Sequence, residues 1–279
     1  NYNENFTPDH YQAFLKDINQ SFDYEPAFRI AESPIFIGHH LKAQLYEACN
    51  DIIDQICVTD FKEKTKAAIL PKYQVAGENE HTLFLQMDFG VCSDENGVLS
   101  PQLIEIQGFP SLYFFQDLLA QAYQKHFPIP ENYNHLFDGL DPKSYIELLR
   151  KNIVGDSDPK NVVLLEVQPE KQTTRIDFLA AQRDLGIAVK CISKLKKEGR
   201  AVYYLDDNGK KIKVEKIFNR VIFDELVRYP ELKREFYFSE PADVEWIGHP
   251  HWFFRISKFT LPFLDCPYVP ATRFLSDIK

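Results

Sequence analysis

The sequence is short of positive charge: 32 Lys and Arg stand against 41 Asp and Glu, a formal net charge of -9. Nucleic-acid backbones are bound by clustered cations that displace counterions, so this balance excludes a nucleic-acid partner. Long apolar runs are also missing. No stretch reaches the roughly 18 consecutive apolar residues that read as a membrane helix. The opening NYNENFTPDH has neither the basic nor the apolar region of a secretory leader. Cysteine is sparse and unpaired in pattern: Cys49, Cys57, Cys92, Cys191 and Cys266 are five, and no two have the close spacing of a zinc knuckle or redox motif. A reduced, cytoplasmic setting with no membrane partner is expected. GxxxxGK[ST] and GxGxxG are both absent, which removes the P-loop and dinucleotide fingerprints. No internal repeat or low-complexity tract appears. The chain starts at Asn1 without Met and is expected to be a segment trimmed from a longer product.

What is present is a 279-residue chain with 44% hydrophobic content, enough for a real core. Tyr11, Phe14, Leu15, Ile18 and Phe22 recur at helical spacing behind a Thr7-Pro8 start. FRIAESPIFI reads as extended, and Leu41 to Ile56 as an amphipathic helix. HTLFLQMDFGV and LSPQLIEIQGFPSL read as two strands joined at Asn96-Gly97. Tyr113 to Phe127 is a helical candidate, followed by the turn-rich connector PIPENYNHLFDGLDPKS. VVLLEV is an apolar run without alternation, as in a strand buried on both faces. A helix ending at Gly186, the strand IAVKCIS, a hairpin RAVYYLDDNGKKIKV and then KIFNRV follow. Strand, helix, strand predicts an α/β half with parallel strands. Two lobes are expected, 1–140 and 141–279.

The chemistry-bearing pattern is on the first hairpin. Strand side chains alternate, so Gln86 and Asp88 share one face, as do Glu105 and Gln107. Four polar side chains can thus converge in otherwise apolar strands, and a hard divalent cation suits them, taking oxygen ligands from two carboxylates and an amide. The same alternation fits a plain solvated face. Among other candidates, the His249/His251 and His39/His40 pairs lack further ligands at metal spacing, and Ser111 and Cys92 lack an activating base. Asp224 and Glu225 line a cleft or cap an element. Trp246, Trp252, Phe253 and Phe254 read as core or an inter-lobe seam.

MDF followed by LIEIQ resembles the metal-binding hairpin of glutathionylspermidine synthase and its circularly permuted ATP-grasp relatives, in which Arg-x-Asp-Phe precedes Glu-x-Asn. VVLLEVQPEKQTTRIDFLAAQRDLGI with the following hairpin is similar to that family's central unit. HPHWFFRISKFTLPFLDCPYVPATRFL resembles its entry segment into the nucleotide-binding subdomain, matched at Lys258 and at Val269 to Thr272.

The resemblance implies an α/β, ATP-grasp-like fold in permuted order, since the metal strands precede the entry segment. The lid subdomain that holds the nucleotide would be missing from these residues, leaving an open groove beside the hairpin and an exposed end near Lys279. It implies Mg and ATP, with Asp88, Glu105 and Gln107 on the metal and Lys258 at the nucleotide site. Arg175 and Arg220 would position an anionic substrate. Gln86 falls where the family has an arginine that steadies the transferring phosphoryl group. The implied activity is ligation of a small-molecule or peptide carboxylate to an amine through an acyl phosphate. The alternative is a non-catalytic relative that binds or scaffolds.

Overall fold

The structure, a computed structural model, describes residues 2–278; the end at Lys279 lies outside them. A short helix α1 (Tyr2–Asn5) leads to α2 (Pro8–Gln20), where the Thr7 hydroxyl accepts the His10 N–H. That is the N-cap expected from Thr7-Pro8. Residues 28–37 form no strand, and α3 (His39–Ile56) and α4 (Phe61–Lys64) follow. Strands β1 (Gln86–Ser93) and β2 (Leu99–Gln107) form an antiparallel hairpin, turning through Gly97 at φ 79°. Next come α5 (Tyr113–His126) and α6 (Pro142–Ile153). Helix α6 is not expected from the sequence, because its Asp141-Pro142 start reads as the end of a turn-rich connector. In the fold Asp141 and Ser144 form a reciprocal capping box there.

The second half carries β3 (Val162–Glu166), α7 (Arg175–Leu185) and β4 (Ala188–Cys191). Gly186 closes α7 at φ 74°, a left-handed C-cap. Strands β5 (Lys196–Glu198), β6 (Ala201–Leu205) and β7 (Lys211–Val214) make an antiparallel sheet. Then follow β8 (Lys216–Asn219), α8 (Phe223–Arg228), β9 (Glu245–Ile247) and α9 (Pro250–Arg255). The central sheet runs β4-β3-β8-β9, all neighbours parallel. Val162 to Leu165 are 0% exposed, as the uninterrupted apolar run requires of a strand covered on both faces. The strand-helix-strand unit is therefore mixed α/β, as its pattern predicts.

Apolar clusters tie the two halves together. Phe84 and Phe114 pack with Leu164, Phe178 and Phe218, and Ile176 of α7 packs with Phe14 and Phe115. Below the hairpin, Leu103 and Ile106 meet Ile52 and Ile56 of α3, Trp252 of α9 and Ile256. The lobes read as 1–140 and 141–279 thus share their cores.

Candidate functional site

One face of the hairpin is consumed by that packing, with Met87 and Phe89 against the same cluster. Gln86 and Asp88 alternate to the other face. The register sets Asp88 directly opposite Glu105, and Gln86 opposite Gln107. A bulge follows, because Phe89 pairs with Leu103 and leaves Ile104 as an extra residue, 57% exposed. Leu103 and Ile106, three apart, both reach the core as a result, and Glu105 is re-aimed to the polar side.

The polar face is partly neutralised. Gln107 Nε2 donates to Glu105 Oε1 at 2.7 Å, and Lys258 Nζ lies 3.3 Å from Glu105 Oε2. Among the described residues no hydrogen bond or ion pair reaches Asp88. Burial and then the facing Glu105 carboxylate hold its carboxyl above the ordinary value. Two carboxylates and an amide oxygen are a hard-cation donor set. They are fewer than three metal-type side chains, and no group of three His, Cys, Asp or Glu converges as a metal site among the described residues. Such a sparse set suits a cation that keeps waters and takes other ligands from a substrate, as magnesium does.

A cavity of about 440 Å³ opens beside this face, lined by Glu105, Gln107, Phe109, Phe253, Phe254, Lys258 and neighbours. Its floor is fixed by the approach of β2 to α9. A Cβ on Gly108 would lie 2.8 Å from the Ile256 Cβ and 2.9 Å from the Trp252 carbonyl oxygen. The Gly108 N–H donates to Ile256 O at 3.0 Å.

Behind Phe109 lies Arg220, just past the carboxyl end of β8, with its guanidinium 4.9 Å from the Phe109 ring centre and 5.7 Å from that of Phe178. It is 7% exposed, and its Nε and Nη1 have no hydrogen-bond partner among the described residues. Burial lowers its pKa, opposed by Asp177, Glu166 and Glu225. Glu166 ends β3 at 4% exposure, and burial pushes its carboxyl up to about 9, with Val167 N–H and Arg220 pulling the other way. Asp177 accepts the N–H groups of Phe114 and Phe115 at 2.9 Å each, fixing α5 on α7. Carboxyl ends of parallel strands are where open α/β sheets bind ligands.

Of the residues singled out in sequence, Asp88, Glu105, Gln107 and Lys258 come together. Gln86 lies at the hairpin end beside Gln107, its Oε1 buried without a partner among the described residues. Arg220 is set back behind the Phe109 wall. Arg175 stacks over Tyr24 at 4.9 Å, and no hydrogen bond or ion pair joins it to the hairpin side chains. Sequence reasoning passed over Glu166, Asp177 and Phe109. A glutamate closing an otherwise apolar strand was the available signal for Glu166. Asp177 is indistinguishable from an ordinary first-turn acid.

The histidine pair has a structural setting. Val75 N–H donates to His251 Nε2 at 2.9 Å, so His251 carries its proton on Nδ1 and gives it to Glu78 at 3.0 Å. His249 Nδ1 accepts the His251 N–H, and its Nε2 faces Ala76 O. Arg255 completes the clasp through Nε to Glu78 Oε1 at 2.6 Å. Burial, then His251, lowers His249 to about 4. Burial works to raise Glu78, but hydrogen bonds from His251 and Arg255 outweigh it and lower it to about 2.

No family model and no curated protein matches the chain. A solved structure does. It is a glutathione synthetase-like effector from Globodera pallida in its apo form, with TM-score 0.50 and 12% identity, aligned over 94% of this chain and 68% of that one. At that identity the likeness is one of fold. This mixed α/β chain shares its general architecture with that structure. Among the described residues no helix is long and apolar enough to cross a membrane.

Proposed function

We propose that the chain is an ATP-dependent carboxylate–amine ligase-like protein of the ATP-grasp type, in circularly permuted order. The observation that carries this reading is the Asp88–Glu105 pair: two carboxylates held face to face by register, one of them without a partner. Mutual repulsion of this kind is destabilising and is relieved by a cation. Asp88, Glu105 and Gln107 would hold magnesium, which on binding neutralises phosphate charge and orients the transferring group.

The chain's own residues do the rest. Lys258 is 71% exposed and already set over Glu105, so it can turn to an incoming phosphate or carboxylate without leaving a buried charge behind. Arg220 offers unpartnered donors suited to a carboxylate. Arg175, which stacks over Tyr24, is the second cation proposed for the substrate. The test is magnesium-dependent ATP hydrolysis by the full-length product, screened against mixtures of acids and amines. Turnover that Asp88→Ala abolishes supports the reading, and unchanged nucleotide affinity in that variant removes the hairpin from the mechanism.

One observation favours a second reading, that of a non-catalytic binding or scaffolding relative. Gln86 stands where the family has an arginine, and a neutral amide brings no charge to a phosphoryl group in transfer. Gln86→Arg distinguishes the two: a gain in turnover marks a weakened enzyme, and none in either form marks a binding protein.

A further inference from the structure

The cavity beside the hairpin is sorted by chemistry. Its polar groups are gathered, since Gln107 and Lys258 both reach Glu105. Its rings are gathered too. Phe109 meets Phe253 edge to face at 5.6 Å, and Phe253 meets Phe254 at 5.4 Å. Phe259 adds a further partly exposed ring next to Lys258. Among the described residues, Glu105 and Lys258 are the charged side chains that line the cavity. A ligand with charge along its length would strand that charge against the rings. One with an apolar body and a single charged end matches both halves.

The sign of that end follows from the local charge. Asp88 and Glu105 against Lys258 leave one negative charge, and a divalent cation on the carboxylates turns this to one positive. We propose that this cavity seats a carboxylic acid with an aryl or branched-alkyl body, the body against Phe109, Phe253 and Phe259 and the carboxylate toward Lys258. This inference rests on the ligase reading for the cation and names the acid that such an enzyme would use. The volume of about 440 Å³ is that of a small-molecule site.

The test is calorimetric binding to the protein in magnesium chloride without nucleotide, using 3-phenylpropionate, glutarate and phenethylamine as probes. The expected result is binding of 3-phenylpropionate, with glutarate at least about tenfold weaker and phenethylamine weaker still. Phe253→Ala and Phe259→Ala should each weaken 3-phenylpropionate about tenfold. A thermal melt shows that each variant is folded, and Lys258→Gln should weaken the acid without affecting the melt. Tighter binding of phenethylamine, or wild-type affinity in both phenylalanine variants, overturns the proposal. ATP turnover is read separately: 3-phenylpropionate binding without turnover on any acid sinks the ligase reading and keeps the site. Turnover on a polar acid with no 3-phenylpropionate binding sinks the site alone.

Discussion

Strand β3 and the β1–β2 hairpin use similar residues to opposite ends. β3 has neighbours on both edges and side chains covered on both faces, with its four aliphatic residues fully buried. The hairpin has one covered face and one free face, and the free face carries the carboxylates. A strand enclosed on every side is committed to packing and can hold a polar group only where it ends, as β3 does at Glu166. A strand with a free face can carry a destabilising carboxylate pair because its other face keeps it in place. The candidate chemistry therefore sits on the separate two-stranded sheet, which keeps one face free.

The sharpest way to break this contrast is to truncate one side chain in each strand. Leu164→Ala in β3 should cost about 2–5 kcal/mol in urea unfolding, while Ile104→Ala on the hairpin should stay within about 0.5 kcal/mol. Equal costs would mean that the hairpin is as enclosed as the sheet.

Acid tests the clasp that holds α9 beneath the hairpin. His249 is lowered from 6.5 to about 4 in the folded chain. The unfolded state therefore binds the proton first, and stability falls as pH drops from about 6.5 to about 4, by on the order of 3 kcal/mol. Glu78, lowered from 4.5 to about 2, adds a further loss below about 4.5. His249→Gln should flatten the upper part of that slope in unfolding curves taken from pH 7 to 4. A slope identical to that of the wild type would show that His249 is not buried neutral.

The junction between the two regions comes next. Gly108→Ala forces a methyl onto Ile256 and the Trp252 carbonyl, and should destabilise by about 1–3 kcal/mol. It should also disturb the cavity, seen as weaker 3-phenylpropionate binding.

The smallest effect is the most telling. Asp88→Asn removes a carboxyl that burial and Glu105 already raise, so it should leave unfolding free energy unchanged or slightly improved, within about 0.5 kcal/mol. Magnesium affinity, followed by titration calorimetry, should nevertheless fall. A clear loss of stability would make Asp88 a structural residue.

The sequence by itself determined the elements whose periodicity leaves no choice. β3 is legible because an apolar run bounded by turn residues has only an enclosed position to occupy. α7 is legible through its Gly186 stop, and the hairpin through Asn96-Gly97. Its polar residues could be named for the same reason, since alternation assigns faces before any partner is known. Helix α6 was lost because Asp141-Pro142 serves equally as a turn and as a helix start, and only docking on α7 and β3 selects between them. Strand β9 is three residues long, too short to show a period. The bulge at Ile104 is likewise invisible in sequence: strict alternation puts Leu103 on the face of Glu105, and the core under the hairpin pulls Leu103 the other way. Arg220, Glu166 and Phe109 come from segments far apart in the chain; the parallel sheet, by ending β3 and β8 side by side, sets Glu166 near Arg220, and Phe109 packs over the guanidinium. Local pattern sets what each segment prefers, and long-range packing decides which face meets which neighbour, because burial energy is realised only when the partner surface is present.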